Sequence, residues 1–228
     1  MADGECRRAL APLDHARHRI PSPMREHPVD RSRREHRRRE GAGARLFVAV
    51  YPPPEIVAAL AAEAARLQLP EHRPVPPEQV HITVHFVGAV APAEIEPAAE
   101  TLRRAVAGLA PFELRARRLV GLPPRAPRLV AAETDLPPEL HELHRRLVAR
   151  LAQPLRRGRK SGGYLPHLTL CRFTGAAKAG AAVPELPADL APDSPAAAPF
   201  PVPAVRLMRS VLHPKGPEHR LVAEVALG

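Results

Sequence analysis

Tryptophan is absent from this chain of 228 residues, and aromatic residues make up only 3% of it. Alanine, valine and leucine must therefore fill most of any core, and at 45% hydrophobic residues there are enough of them to do so. Cysteine occurs twice, as Cys6 and Cys171. Two thiols so far apart do not make a disulfide framework, which fits a reducing compartment. No apolar run approaches the roughly 20 residues that span a bilayer. The first residues lack the apolar stretch of a secretory signal. These absences set the expectation of a cytoplasmic protein with no membrane partner.

Proline, at 30 residues, is abundant instead. Together with the many alanines and arginines, it reads partly as a mutational bias rather than a structural demand. The formal net charge is +10 and the isoelectric point about 10.9. Such a balance favours polyanions through counterion release and steering, although a solvated surface with an arginine-rich tail gives the same total. Residues 1–43 carry eleven arginines against seven acids and have little to bury, so they read as a disordered basic extension. That extension is either an arm adding affinity for nucleic acid or an upstream segment with no role, with Met24 as an alternative start. The globular pattern begins at Ala44 and runs to Gly228.

Within it, 45–50 alternates as a strand, and 54–69 has helical spacing with a proline at its start, where proline is tolerated. A Pro-rich loop is expected over 71–79 and a strand over 80–87, closed by Gly88. Helices are expected at 92–109 and 138–151, strands at 112–119 and 128–133. A basic loop fills 153–164, and a strand follows at 168–173. The Ala/Pro-rich stretch 175–199 suggests one short helix and a long loop. Strands at 205–213 and 219–227 flank a turn, a hairpin signature.

Two of these strands repeat one another. His81-Ile82-Thr83-Val84 and His167-Leu168-Thr169-Leu170 lie 86 positions apart, about half the globular part. In a strand, residues i and i+2 share a face. His81 and Thr83 therefore look one way, as do His167 and Thr169, while the intervening apolar residues look toward a core. Two lobes facing one another across a cleft would bring both pairs together. Histidine ionises near neutrality, so one imidazole can take a proton from water while the other gives one to a leaving oxygen. The two hydroxyls can donate to phosphoryl oxygens. This scheme needs no metal and no cofactor. His141 and His144, spaced i, i+3 on a helix, lack a further ligand nearby and read as a surface pair.

The chain resembles the two-histidine (2H) phosphoesterase superfamily, and within it the bacterial RNA 2′,3′-cyclic phosphodiesterases, also called 2′-5′ RNA ligases or LigT-like proteins. The likeness spans roughly 45–228. It rests on the opening strand Arg45-Leu46-Phe47-Val48-Ala49-Val50, the segment from Val75 through His81-Ile82-Thr83-Val84 to Gly88, Pro166-His167-Leu168-Thr169-Leu170-Cys171-Arg172, and Ser210-Val211-Leu212-His213-Pro214-Lys215-Gly216. It implies an α+β fold of two pseudo-symmetric β-sheet lobes, with outer helices around a central basic cleft. It implies hydrolysis of a terminal 2′,3′-cyclic phosphate to a 2′-phosphate on RNA, tRNA fragments among the candidates, with the reverse, ligating direction open to near-symmetric lobes. By position His81 would be proton donor and His167 proton acceptor, with Thr83, Thr169 and Arg172 holding the phosphate. Arg157, Arg159, Lys160 and Tyr164 become candidate RNA contacts. A self-contained cleft permits a monomer.

Some residues depart from the pattern. His85 shares the face of His81 and is expected at the rim. His219 stands where the family tends to carry an aromatic residue. Phe86 has core parity, Phe173 is likewise expected in the core, and Cys171 is expected to be packed. Arg172 faces away from His167 by strict alternation, so a bulge near Cys171 is needed to re-aim it. Two other functions stay open: a phosphodiesterase acting on small cyclic nucleotide or ADP-ribose cyclic phosphates, and a non-catalytic module that binds RNA ends.

Overall fold

The structure, a computed structural model, describes residues 44–151, 163–180, 182–183, 185–213 and 216–228. The expected disorder of 1–43 and the loop contacts Arg157, Arg159 and Lys160 lie outside the described residues. Among the described residues no helix is long and apolar enough to cross a membrane.

Strand β1 (Ala44–Val50) is buried along almost its whole length, so it sits at the centre of a sheet with both faces covered. It pairs antiparallel with β3 (Ile82–Val90) on one side and β10 (Ala204–His213) on the other, and β10 pairs with β11 (Gly216–Ala226), the expected C-terminal hairpin. A second set runs from β7 (His167–Phe173) to β6 (Leu129–Thr134), β5 (Ala116–Leu122) and the two-residue β8 (Ala188–Asp189). The order β11-β10-β1-β3-β7-β6-β5-β8 is hydrogen-bonded throughout. Its two halves are the two expected lobes, and they meet where β3 lies beside β7.

That meeting is narrow: Ile82 opposite Leu168 is the registered pair between the two motif strands. The other end of the same β7 edge is taken by a three-residue strand, β2 (His72–Pro74), with Arg73 opposite Arg172. Residues 71–79 are thus not wholly loop, as expected; they hold β2 and a 3-10 turn at Pro77–Gln79. Among the described residues, three α-helices cover the sheet. Helix α1 (Pro54–Ala65) begins with Pro54, α2 (Ile95–Val106) follows a 3-10 turn at Pro92–Glu94, and α3 is Pro138–Leu151. The helices interlock the halves. Although α1 follows β1 in the chain, it contacts β7; α3 comes from the second half yet contacts β3 and α2. Leu60, Leu102, Leu140, Leu143 and Leu147, all fully buried, are their contribution to one continuous core.

Further corrections concern the ends of elements. The strand expected at 112–119 is two, because Arg115 separates β4 (Phe112–Leu114) from β5, and β4 pairs with β9 (Phe200–Val202) in a small second sheet. The stretch 175–199 holds no α-helix among its described residues, only 3-10 turns at Gly175–Ala179 and Pro195–Ala197 and the short β8. Prolines remove the amide donors that a longer helix would need. Strand β3 does not stop at Gly88 but passes through it at φ 94 and runs on to Val90.

Leu168 is fully buried and pairs with Ile82 at the seam of the lobes. Leu168→Ala should cost about 2–5 kcal/mol, read by urea unfolding; a change below about 1 kcal/mol would mean that the seam is not packed as described.

Candidate active site

The paired motifs converge on one cavity of about 800 Å³. Its lining includes His81, Thr83, His167, Thr169 and Arg172, all five residues singled out for proton transfer and phosphate binding. Residues at the seam begin both motif faces, and the strands part beyond it.

The two histidines are held alike. His81 Nδ1 lies 2.6 Å from the carbonyl of Gln79, and His167 Nδ1 lies 2.8 Å from the carbonyl of Leu165. In each case the acceptor is the backbone two residues upstream. A carbonyl only accepts, so Nδ1 carries the hydrogen in both rings and donates it. The neutral form of each ring therefore presents the lone pair of Nε2. In His81 that nitrogen accepts from the Thr83 hydroxyl at 3.2 Å.

Their surroundings differ. His81 is packed by Phe47, Tyr51 and His219, with ring centroids at 5.0, 5.4 and 5.2 Å. Burial in this aromatic cage disfavours the imidazolium and pulls the His81 pKa down to about 4, against the support of the Gln79 carbonyl. The neighbouring His219, Arg172 and His167 push in the same downward direction as burial. His219, whose pKa burial also lowers, stands edge-on to Phe47.

β-Bulges decide what else faces the cavity. In β7 the register with β6 slips so that Val130 opposes Cys171 and Ala131 opposes Thr169, leaving Leu170 as the extra residue. Leu170 and Cys171 are consecutively buried, and Arg172 turns back to the cavity face. This is the bulge that alternation demanded near Cys171. Phe173 is core, and Cys171 is buried, with its thiol pKa raised by that burial. In β3 a similar slip leaves Val84 extra, between Thr83 opposite Ala49 and His85 opposite Val48. It passes the cleft face from His85 to Phe86. Phe86 is 61% exposed, 6.3 Å from Phe47, and lines the cavity. The core position expected for Phe86 is thus corrected. His85 borders the cavity but stands opposite buried Val48, its ring 6.5 Å from that of His144.

His144 is not a surface residue. It is half-buried, donates from Nδ1 to the Val84 carbonyl at 2.7 Å, and stacks on Tyr164 at 4.0 Å with ring planes 7° apart. Tyr164 donates its hydroxyl to the Thr83 carbonyl at 3.2 Å. One ring face and the hydroxyl of the residue considered for RNA contact are therefore engaged inside the protein.

The lining also includes Arg45 and Arg73 and, among the described residues, no aspartate or glutamate. Burial, and after it Arg73, disfavour the Arg172 cation, so this end of the cavity is electrostatically suited to an anion. No cluster of three or more His, Cys, Asp or Glu side chains among the described residues is placed to hold a metal ion. Sequence reasoning missed Phe47, Arg73 and His144 as cavity residues, and Tyr51 as a ring packed against His81. Phe47 and Tyr51 carried a signal, since Phe47 and Ala49 share one face of β1 by alternation and Tyr51, just past its end, continues the same parity. Arg73 and His144 carried none, because β2 is too short to read and the fork that His144 fills is a tertiary feature.

The family model described as the 2′-5′ RNA ligase superfamily matches residues 52–213. The RNA 2′,3′-cyclic phosphodiesterase of Thermus thermophilus is 31% identical over 199 residues, covering 80% of this chain and 90% of that protein. A solved protein of Thermus thermophilus superposes with a TM-score of 0.67 at 29% identity, over 80% of this chain and 97% of its own. LigT of E. coli, solved with 3′-AMP, gives 0.64 at 23% identity over 81% and 98%, a likeness of fold alone. Fold and paired motifs together define a two-histidine phosphoesterase architecture. The chain belongs to the 2′-5′ RNA ligase superfamily.

The depressed His81 pKa has a consequence for stability. The unfolded chain binds this proton near the ordinary 6.5, whereas the folded chain binds it only near 4. Between those values the unfolded state holds the extra proton, so stability falls as pH drops through the window, by about 3 kcal/mol in all. Urea unfolding at pH 7 and pH 4.5 should therefore show His81→Asn losing less stability than the wild type on acidification. Equal losses would contradict a neutral His81 held in its aromatic cage.

Proposed function

We propose that this protein is an RNA 2′,3′-cyclic phosphodiesterase, which opens a terminal cyclic phosphate to a 2′-phosphomonoester by metal-independent acid/base catalysis. One observation carries the reading: both imidazoles are locked in the same tautomer by matching backbone carbonyls and border one cationic cavity, each beside a threonine. In the proposed reaction a water attacks phosphorus opposite the 3′ oxygen. His167 Nε2 takes the water proton. The P–O3′ bond breaks, and His81 Nε2 delivers its proton to O3′. His167 ends protonated and His81 neutral, and exchange with solvent restores the starting state. Thr83, released from His81, and Thr169 donate to the non-bridging oxygens, while Arg172 holds their charge. With a 5′-hydroxyl attacking phosphorus in place of water, the same groups permit ligation: His167 takes the hydroxyl proton, the P–O3′ bond breaks, and His81 protonates O3′, leaving a 2′-5′ linkage.

The role of acid demands a proton that the caged His81 does not hold at neutral pH without substrate. The substrate supplies the means. A phosphate monoanion about 4 Å away at an effective dielectric near 20 favours the imidazolium by about 4 kcal/mol, or about three pH units. That brings His81 from about 4 to near neutrality when the phosphate is bound. Its protonation is thus coupled to binding. Ring NMR should show His81 titrating two or more pH units higher with a 2′-phosphonucleotide bound; an unchanged titration would remove His81 as the acid.

Arg73, opposite Arg172 across β2 and β7, favours an oligonucleotide over a mononucleotide. Both guanidinium groups line the cavity, so a phosphodiester next to the terminal phosphate meets a second cation there. Arg73→Ala should weaken kcat/KM on an RNA end several-fold and flatten its salt dependence, while sparing a cyclic mononucleotide. Equal effects on both would favour a small cyclic phosphate as the true substrate. The proposed working unit is a cytoplasmic monomer, since one chain completes the cavity.

Product analysis tests the function itself. RNA with a 2′,3′-cyclic end should yield a 2′-phosphate with or without EDTA, and His81→Ala and His167→Ala should each lower the rate by about 10²–10⁴-fold. A 3′-phosphate product, or loss of activity on chelation, would overturn the scheme. Tight binding without turnover would leave an RNA-end-binding module.

A further inference from the structure

The stacked pair His144 and Tyr164 fills the fork where the two motif strands part. Beyond the Ile82–Leu168 pair, β3 has no registered partner on β7. Backbone carbonyls left on such an edge need other donors. The bulge sets Val84 outside the β1 ladder at this same point. The two consecutive carbonyls here, Thr83 and Val84, accept from Tyr164 and His144 respectively, at 3.2 and 2.7 Å. The donors come from different elements. His144 is on α3, packed against β3, and Tyr164 lies three residues before His167 on the lead into β7. Their rings stack at 4.0 Å and border the cavity from beneath.

We infer that His144 and Tyr164 form a wedge that sets the separation and orientation of the two His-x-Thr faces, and so act as positioning residues for both catalytic histidines. The chain of contact is short. The Tyr164 hydroxyl ties the lead-in of one motif to the backbone of Thr83 in the other. His144 holds the bulge that follows Thr83, and its ring fixes the plane of Tyr164. Neither needs to touch the phosphate. The inference deepens the phosphodiesterase reading and, for its kinetic arm, rests on it.

The alignment of a nucleophile and a leaving group responds steeply to displacement; a shift of about 1 Å can cost about 10²-fold in rate. Three variants separate the parts of the wedge. Tyr164→Phe keeps the stacked ring and removes the hydroxyl. His144→Phe keeps a ring and removes the donor. His144→Asn keeps a donor near the position of Nδ1 and removes the ring. The two phenylalanine variants should lower kcat on a cyclic-phosphate RNA end by about 10- to 100-fold with KM within about threefold, because Arg172 and Thr169 still hold the phosphate. His144→Asn, which restores the donor but not the ring, should recover part of the lost kcat. A second readout needs no turnover. Amide hydrogen exchange over residues 82–85 and 167–169 should quicken at least tenfold in both phenylalanine variants, with 204–213 unchanged. Unchanged exchange at both motifs would overturn the wedge, as would a kcat loss that Asn does not relieve and that merely follows lowered thermal stability. A wild type inactive on every cyclic phosphate would defeat the functional reading, and the exchange result would still decide the wedge.

Discussion

The arrangement depends on one constraint: two antiparallel strands joined at a single registered pair and splayed beyond it. Full pairing of β3 with β7 would leave no space between the motif faces. Without the seam, the lobes would be tied only by short β2 on the β7 edge and by the helices among the described residues. The Ile82–Leu168 contact is apolar and fully buried. It fixes both strands in register, and a slip of one residue would send every His and Thr to the core face. The interlocked helices α1 and α3, each packed on the strand of the other half, hold the splay that the sheet does not.

Bulges then select which side chains use the space. One extra residue in β7 returns Arg172 to the cleft, and one extra residue in β3 trades His85 for Phe86. The electrostatic character follows from the lining: arginines and histidines without acids among the described residues. His81 is the case where competing effects must be weighed. Its hydrogen bond to Gln79 favours the cation, but burial by three rings prevails and leaves the ring neutral. A bound phosphate reverses the balance, because the same low-polarity cage that excludes a lone charge strengthens an ion pair within it. Under this account the empty cleft is a poor acid and the occupied one a good acid.

Much of this was legible in the sequence because it followed from period-two alternation. The His-x-Thr repeat, its spacing of half the globular part, the C-terminal hairpin and the three helices all had local signatures. Even the bulge at Leu170 left a trace, as a parity conflict between His167 and Arg172. The conflict at Phe86 left none, since alternation there agreed with a core assignment and only the register with β1 breaks it. Strand β2 and the partnership of His144 with Tyr164 were hidden for a related reason. Three residues carry no period, and a side chain that plugs a gap between distant strands is specified by packing rather than by spacing. Pairing order was likewise beyond reach, because every strand that joins the lobes is apolar on one face and compatible with several neighbours.

The account turns on a single phosphoryl group meeting both imidazoles at once. A crystal structure with a 2′-phosphonucleotide or a vanadate mimic of the transition state is the most direct measurement. It should place oxygens of that group within hydrogen-bond reach of Nε2 of both His81 and His167, with the Thr83 and Thr169 hydroxyls on the remaining oxygens and Thr83 released from His81. An anion held elsewhere in the cleft, or touching one histidine while the other stays remote, would contradict it.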